Sequence, residues 1–471
     1  MKKSDLTKGM PPAPDISAED VQKAREDGAR QLVVLDDDPT GTQSVAELPV
    51  LNSWEDEDLC WALDTGAPAV YVMTNSRSLP PEQAAERNRG VVRASLAAAH
   101  SLGVEVDFVS RGDSTLRGHY PLEPSTIIET LAEADIAIDG VILLPAFGDA
   151  GRITVGGVHY AGNDTDGFVP VGETEFARDA TFGYKSSDLR EWVEEKTGGA
   201  ITAADVAVVD LTTLRSDPEK TAEILDGLSG SQPAVADIVE EADIRALALA
   251  LLAAQKKGKR FVYRVGPPFV RAMIGQPIVE PLSAEDVSSI RSEESVNGGL
   301  IVVGSHVALT TRQLNNLRER RAPREFVIEV AKVLSEERDA HLDEIVANVA
   351  EALRGGNAVV STSRTLVTGV DGDDSLRIAR EVSDAVVTVV RKVLDIAPPR
   401  FVIAKGGITS SDVASRGLEI GRAIVRGPML PGIVSLWEPI MGPAQGIPYI
   451  VFAGNVGGDQ SLADVVDKLS Q

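Results

Sequence analysis

The chain alternates short, continuous apolar runs with longer segments whose apolar residues recur at helical spacing. Runs of this length and composition are typical of strands buried on both faces of a parallel sheet. Between two of them, the segment from Pro81 to Gly103 has a helix-start proline and a glycine stop. The runs of the first half begin at Gln31 (QLVVL), Ala69 (AVYVM), Val106 (VDFVS), Gly140 (GVILLP), Val206 (VAVVDL) and Arg260 (RFVYRV).

A second series of runs follows a stretch rich in proline, glycine and polar residues around Ile290. This break predicts two α/β domains, each with a mostly parallel sheet flanked by helices. We expect a disordered lead-in over 1–28, an N-terminal domain over 29–290 and a C-terminal domain over 291–471. The second-series runs begin at Leu300 (LIVVGS), Asn357 (NAVVSTS), Arg400 (RFVIAKGG) and Tyr449 (YIVFAGN).

Composition narrows the class of protein. The 46 Lys and Arg residues against 71 Asp and Glu residues give a formal charge of −25, which disfavours nucleic acid and anionic membranes as partners. The single cysteine, Cys60, excludes an intrachain disulfide, and no apolar leader follows the first lysines. We therefore expect a cytoplasmic protein that acts on small molecules. A homodimer is compatible with its size, although the sequence indicates no interface.

In the second half, apolar runs repeatedly end in glycines and hydroxyl residues, as in VVGSHVALTT, VIAKGGITSSDV and VFAGNVGG. Glycine lets backbone N–H groups approach a phosphate closely, and hydroxyls stabilise its charge. One such loop is more often an ordinary strand-to-helix turn, but several at one sheet edge make a nucleotide crevice equally plausible. The sequence contains neither a P-loop nor a G-x-G-x-x-G after a strand.

In the first half, charged segments follow three of the apolar runs: LDDDPTGTQ, TNSRSLPPEQA and SRGDSTLRGHYPLEP. Carboxylates there can serve as bases and arginines can grip an acid group. A turn explains Asp38 and Pro39, and a helix start with an i,i+4 ion pair is an equally good interpretation of Asp113 and Arg117. The residues expected to gather at the sheet edge are Asp36, Asp37, Thr40, Arg77, Asp113 and Arg117.

Taken together, these motifs resemble the four-carbon acid sugar kinase family, over about Gln31 to Leu469. The markers are DDDPTGT, TNSRSL, GDSTLRG, PAFGDAGRITVGGVHY and TEFARDATFGYKSS, then VGSHVALTTRQ, KGGITSSDVA, PGIVSLWEP and FAGNVGG. The resemblance implies an N-terminal domain that holds the sugar acid, a C-terminal domain that binds ATP, and an active site in the cleft between them. The chain departs from the family at PTGTQ, at Arg111 in place of the usual lysine, and at GGIT in place of GGET.

The resemblance also implies residue roles. Asp37 or Asp113 would accept a hydroxyl proton, Arg77 and Arg117 would clamp the substrate carboxylate, and Asp36 and Thr40 would complete the sugar-acid site. Mg²⁺ would bridge the ATP phosphates, with protein ligands that the sequence does not identify. Nucleotide contacts would come from Ser305, Gly406, Gly407, Ile408, Thr409, Gly454 and Asn455.

The expected reaction is therefore transfer of the ATP γ-phosphoryl group to a terminal hydroxyl of threonate, erythronate or an oxo-tetronate. Two other interpretations stay open. One is a different nucleotide-dependent sugar-acid enzyme such as a dehydrogenase, which the missing G-x-G-x-x-G disfavours. The other is a non-catalytic sensor that binds the same ligands, which the departures at PTGTQ and GGIT allow.

Overall fold

The computed structural model describes residues 1–26, 28–291, 296–364 and 372–471. Its contacts divide the chain into two compact units, Met1–Ile278 and Val279–Gln471. The second unit begins before the boundary expected at Ile290, because Val287 is buried in its core and Ile290 packs against that core. Which ligand each unit holds stays a prediction.

The main sheet of the first unit is parallel between all its neighbouring strands, as the continuous apolar runs predicted. Its strands are β1 (Gln31–Asp36), β2 (Leu48–Leu51), β3 (Ala69–Met73), β4 (Val106–Arg111), β5 (Gly140–Leu144), β9 (Ala207–Val209), β10 (Gln232–Ala236) and β11 (Phe261–Val265). They run side by side in the order β2-β3-β1-β4-β11-β5-β10-β9. The six apolar runs of the first half are all strands here.

A second, antiparallel sheet lies between β5 and β9 in the chain, and the sequence analysis did not predict it. Its strands are β6 (Arg152–Val155), β7 (Val158–Asn163) and β8 (Gly167–Pro170), paired in that order. Each is short and only partly buried, so none shows a long apolar run. Ile153, Val155, Tyr160 and Phe168 pack under it with Leu211 and Val239.

The helices of the first unit pack against both sheets. The segment from Pro81 forms a helix as predicted, and Gly103 ends it in the left-handed conformation with φ +67°. None of the helices in the described part of the chain is long and apolar enough to cross a membrane. They are α1 (Lys3–Leu6), α2 (Ala18–Arg25), α3 (Asp56–Asp64), α4 (Pro81–Leu102), α5 (Leu122–Ala132), α6 (Leu189–Lys196), α7 (Leu211–Ser216), α8 (Pro218–Gly227), α9 (Glu241–Lys256) and α10 (Pro268–Met273).

The lead-in differs from the disordered segment that the sequence suggested over 1–28. Ser17 caps α2 by accepting a hydrogen bond from the backbone of Asp20, and Val21 is fully buried. The Met1 ammonium group donates to the carbonyl of Phe168 at 2.7 Å, at the edge strand β8. The polar composition of the segment did not predict its ordered structure, because the contacts that hold it are made with distant parts of the first unit.

The second unit has a mixed sheet in the order β13-β14-β12-β15-β18-β17-β16. The pairs from β13 to β18 are parallel, and β16 and β17 form an antiparallel hairpin that ends the series. Its strands are β12 (Leu300–Val303), β13 (Arg324–Ile328), β14 (Ala358–Thr362), β15 (Val402–Lys405), β16 (Arg422–Leu430), β17 (Ile433–Pro439) and β18 (Tyr449–Phe452). Its helices are α11 (Ala284–Ile290), α12 (Ala308–Arg321), α13 (Val330–Val333), α14 (Arg338–Leu353), α15 (Gly372–Ile396), α16 (Gly407–Asp412) and α17 (Ser461–Leu469).

Candidate active site

The carboxyl ends of three parallel strands meet in the first unit. Asp36, the last residue of β1, stands opposite Met73 of β3 on one side and Arg111 of β4 on the other. The segments after these strands carry Asp37, Arg77 and Asp113, so the register itself brings the predicted residues to one edge. We call the charged side chains at this edge the acid–arginine cluster.

Asp36 and Arg111 form the buried centre of the acid–arginine cluster. Asp36 is fully buried, and its Oδ1 accepts a hydrogen bond from Nη2 of Arg111, which also donates to the carbonyl of Asp38 at 2.5 Å. Burial raises the pKa of Asp36 to about 7 although Arg111 acts in the opposite direction. Asp36 therefore lies beneath the surface, and its contacts serve to position Arg111.

The close packing around position 41 explains why a glycine follows these aspartates. A Cβ at position 41 would lie 1.9 Å from Oδ2 of Asp36 and 2.4 Å from Nε of Arg111. The backbone of the 3₁₀-helix Pro39–Ser44 therefore packs directly on the buried ion pair. Asp38 caps this helix by accepting hydrogen bonds from the backbone N–H of Thr40 at 2.9 Å and from its hydroxyl at 2.5 Å.

Asp37 and Arg77 form a bidentate pair. Nε and Nη2 of Arg77 donate to Oδ2 and Oδ1 of Asp37 at 3.0 and 2.6 Å, and Nη1 lies 3.4 Å from Oδ2 of Asp38. All three nitrogens of the guanidinium group are thus engaged by carboxylates. In this arrangement Arg77 orients two aspartates and has little left to offer a substrate carboxylate.

Asp113 and Arg117 form the i,i+4 ion pair considered from the sequence, but they do not start a helix. They lie in the loop between β4 and α5, where Nε of Arg117 donates to Oδ2 of Asp113 at 2.7 Å. Burial would raise the pKa of Asp113, but Arg77 and Arg117 outweigh it and lower the pKa to about 2. Asp113 is therefore a fixed anion at neutral pH.

The small antiparallel sheet and the segment after it hold the Asp113 loop in place. Nε2 of His159 on β7 lies 2.8 Å from the carbonyl oxygen of Ser114, and the hydroxyl of Tyr184 donates to the carbonyl of Thr115 at 2.6 Å. Burial lowers the pKa of His159 to about 4, so its ring is neutral near pH 7. His119, the histidine nearest the predicted site, lies 3.1 Å from the carbonyl oxygen of Ser76.

The second unit gathers the predicted nucleotide residues at the ends of β12, β15 and β18. Thr310 of α12 joins two of these loops, because its hydroxyl lies 2.8 Å from the carbonyl oxygen of Gly454 and 3.2 Å from the hydroxyl of Ser305. Gly406 has φ +130°, and a Cβ there would lie 3.2 Å from both Ser305 Cβ and Thr409 Oγ1. We call Ser305, Gly406, Thr409 and Gly454 the glycine–hydroxyl cluster.

The other predicted nucleotide residues lie at the edge of this cluster. Gly407 is the first residue of α16, and Ile408 beside it is 65% exposed. Asn455 follows Gly454 and is exposed.

Two cations, Lys405 and Arg364, adjoin the glycine–hydroxyl cluster. Lys405 is fully buried at the end of β15, its Nζ donates to the carbonyl of Ala453 at 2.7 Å, and burial lowers its pKa to about 7. Arg364 donates to the carbonyl of Ser305 at 2.6 Å. Among the described residues, no carboxylate forms an ion pair with either side chain.

Metal ligands are not concentrated at either cluster. Across 1–26, 28–291, 296–364 and 372–471, no group of three or more His, Cys, Asp or Glu side chains is arranged to hold a metal ion.

Known families of domains match the two halves of the chain separately. A sugar-binding N-terminal domain matches residues 32–273, and a nucleotide-binding C-terminal domain matches residues 300–462. The chain belongs to the four-carbon acid sugar kinase family. The 3-oxo-tetronate kinase of Methylobacterium radiotolerans is 24% identical over 409 residues, which cover 86% of this chain and 90% of that protein.

Solved structures share the family's fold. A protein from Salmonella typhimurium LT2 has a TM-score of 0.65 at 18% identity, covering 92% of this chain and 98% of that one. Protein HI1011 of Haemophilus influenzae has a TM-score of 0.59 at 18% identity, with the same coverage of 92% and 98%. Both likenesses support the α/β architecture.

In this member of the four-carbon acid sugar kinase family, charged residues that the sequence analysis did not single out also lie beside the two clusters. Arg264 of β11 donates to Oε2 of Glu123 at 2.6 Å and to the hydroxyl of Ser110 at 2.9 Å, behind the acid–arginine cluster. Lys405 lay within the predicted strand VIAK. In the sequence, Arg264 and Lys405 are marked only by a charge inside an apolar run. A single sequence does not distinguish such a charge from that of a surface residue.

Proposed function

We propose that this protein is an ATP-dependent kinase that phosphorylates a terminal hydroxyl of a four-carbon sugar acid of the threonate, erythronate or oxo-tetronate type. The observation that carries the proposal is the division of chemistry between the two units. One holds fixed carboxylates among arginines, and the other holds glycines, hydroxyls and two cations without carboxylate partners. Their matches to sugar-binding and nucleotide-binding domains support the same division.

The glycine–hydroxyl cluster fits the polyphosphate of a nucleotide. Its glycines leave room where a Cβ would touch Ser305 or Thr409, and both of those residues offer hydroxyl donors. Lys405 and Arg364 supply positive charge that carbonyl oxygens only partly satisfy. ATP supplies the phosphoryl group, and Mg²⁺ bound to its phosphates would offset their charge.

The acid–arginine cluster fits the sugar acid whose hydroxyl accepts the phosphoryl group. We assign the hydroxyl proton to Asp113, because both its side-chain contacts, from Thr115 and Arg117, use Oδ2 and leave Oδ1 available. Asp37, the other predicted base, has both oxygens engaged by Arg77. A bond then forms between the substrate oxygen and the γ-phosphorus, the bond to the ADP oxygen breaks, and Asp113 receives the proton.

A carboxylate with a pKa of about 2 is a weak base, and phosphoryl transfer tolerates one. The loose transition state requires mainly positioning and charge neutralisation, so little proton transfer has to precede bond formation. Asp36, Thr40 and Arg77 then serve to fix the geometry of Asp37 and Asp38, and Arg117 keeps its terminal nitrogens for the substrate.

The experiment is incubation of the protein with Mg-ATP and a panel of threonate, erythronate and oxo-tetronate stereoisomers, with ADP as the readout. We expect ADP above background with at least one acid, and a matching phosphorylated acid by mass spectrometry. A folded protein that forms no ADP with any acid would contradict the kinase. Binding of ATP and an acid without turnover would instead support the sensor, and a shift in melting temperature with NAD but not ATP would support a dehydrogenase.

A further inference from the structure

A cavity of about 960 Å³ lies within the first unit and is distinct from the residues predicted by sequence. It is bounded by the small antiparallel sheet, the turn Gly148–Ala150 and the first turns of α9 and α10. This volume is in the range of small-molecule sites, which combine apolar walls with a few placed charges. Its walls include Arg152, Phe176 and Arg271, together with the carboxylates of Asp149, Asp164, Glu175, Glu240 and Glu241.

Arg152 differs from the other arginines around this region. Arg77, Arg111, Arg117, Arg264 and Arg271 each form an ion pair with a carboxylate. Among the described residues, Arg152 has no ion pair, and its buried Nε has no hydrogen-bond partner. A partly buried guanidinium group without a partner is costly, so the site is better satisfied with an anion bound.

Phe176 connects Arg152 to the acid–arginine cluster. The guanidinium carbon of Arg152 lies 5.6 Å from the centroid of this ring, and that of Arg117 lies 5.2 Å from the same centroid. Arg117 holds Asp113 through Nε, and its Nη1 lies 3.9 Å from Asp179, so its terminal nitrogens make no hydrogen bond among the described residues. Two guanidinium groups therefore stack on one ring, next to the proposed base.

The charges around Arg152 support an electrostatic link to the same place. Burial lowers the pKa of Arg152, and the two charged side chains that also act on it are Asp113 and Arg117. Asp113 is already paired with Arg117, so it does not neutralise both cations. An incoming carboxylate would bring a negative charge to both cations and offset the repulsion between them.

We propose that Arg152 and Phe176, with Arg117, form the carboxylate-binding end of the acceptor site, at the wall of the 960 Å³ cavity. This inference rests on the proposed function and specifies it: the acceptor is an acid, bound by its carboxylate at Arg152, with its hydroxyl end at Asp113. Uncharged polyols of the same length lack the group that Arg152 recognises.

The test compares Arg152→Met with Arg178→Met. Arg178 is an exposed arginine two residues beyond Phe176 that donates a long hydrogen bond of 3.5 Å to the carbonyl of Glu173. We expect Arg152→Met to raise KM for the acid about 10- to 100-fold, the worth of one charge-assisted hydrogen-bonding group, and to leave KM for ATP within about twofold. Arg178→Met should match wild type in both. An unchanged KM for the acid in folded Arg152→Met would overturn the inference.

Direct binding separates this inference from the kinase itself. Calorimetry without ATP uses D-erythronate and L-threonate as probes and erythritol as the uncharged comparison. We expect wild type to bind at least one acid, not erythritol, and Arg152→Met to bind it at least about tenfold more weakly. Acid binding that depends on Arg152 without any turnover would overturn only the kinase.

Normal turnover with binding unaffected by Arg152→Met would overturn only the present inference. A wild type that binds no threonate, erythronate or oxo-tetronate would contradict both this inference and the proposed kinase. Thermal melting shows whether each variant folds. If Arg152→Met does not fold, Arg152→Ala is assayed with added guanidinium ion, which should restore KM for the acid at least partly. Absence of rescue in that folded variant would count against a direct role.

Discussion

The acid–arginine cluster and the glycine–hydroxyl cluster both lie at the carboxyl ends of parallel strands. They differ in whether their charged side chains form ion pairs. In the first, buried carboxylates are matched by arginines, as in Asp36 with Arg111 and Asp37 with Arg77. In the second, the hydrogen bonds that Lys405 and Arg364 donate within the described part of the chain go to carbonyl oxygens and a hydroxyl. The charges of the first cluster are paired within the protein, whereas the two cations of the second form no ion pair among the described residues.

Asp113→Asn should have the largest effect, because it removes the proposed proton acceptor. We expect kcat to fall about 10²- to 10⁴-fold. The variant should stay folded with a lowered melting temperature, because the charge that Arg77 and Arg117 stabilise is lost. Asp226→Asn, at a surface aspartate of α8 paired with Lys257, is the control and should keep kcat within about twofold. A kcat above a tenth of wild type in Asp113→Asn would assign the proton to another group.

Arg111→Met tests the balance of charge in the acid–arginine cluster. It removes the cation that lowers the pKa of Asp36, so the buried carboxyl becomes protonated at pH 7 and loses its hydrogen-bond donor. We expect the free energy of unfolding at pH 7 to fall by about 1–3 kcal/mol in urea denaturation. Arg93→Met breaks an exposed pair with Glu133 and should cost at most about 1 kcal/mol. The loss in Arg111→Met should shrink at pH 5, where Asp36, with its pKa of about 7, is protonated. Equal losses for the two variants would show that the buried pair is not tightly coupled.

Lys405→Met should move stability and nucleotide binding in opposite directions. The pKa of Lys405 is about 7 in the folded protein against 10.5 ordinarily, so folding is penalised fully below pH 7 and the penalty fades as pH rises toward 10.5. We expect the variant to be more stable by about 1–4 kcal/mol at pH 7, with a smaller gain at pH 10, and to have a raised KM for ATP. A less stable variant with unchanged KM for ATP would remove Lys405 from the nucleotide site.

Ser305→Ala should have the smallest effect, because it removes one neutral hydroxyl from the glycine–hydroxyl cluster. We expect KM for ATP to rise about 2- to 10-fold with KM for the acid unchanged. Ser289→Ala in α11, where the hydroxyl donates to the carbonyl of Asp286, serves as the control. If both variants match wild type, the ATP site does not use Ser305.

The elements that could be predicted from sequence are those whose burial is uniform along the chain. Runs such as LVVL at β1 and LIVV at β12 are buried on both faces, so composition alone identifies them. The hairpin β16–β17 and the small sheet from β6 to β8 mix buried and exposed positions and include turns, which short apolar patterns do not resolve.

The residues of the candidate site also fall into a group that the sequence could predict and a group that it could not. Asp37, Arg77 and Asp113 follow predicted strands directly, so parallel pairing was enough to place them together. Arg152 and Arg264 reach the site from a hairpin and a distant strand, and their roles depend on contacts with Phe176 and Glu123. Such contacts depend on tertiary packing. The spacing of residues along a single sequence does not predict them.

Gly41 has a further consequence for how this site can change during evolution. Because any side chain at position 41 would meet Asp36 and Arg111, this point of the strand-end loop is closed to substitution. New acceptor preferences must therefore arise at positions with space around them, such as the cavity wall at the exposed residues Glu175 and Ile278. A mutant library aimed at altered substrates should hold Gly41 constant and diversify that wall instead.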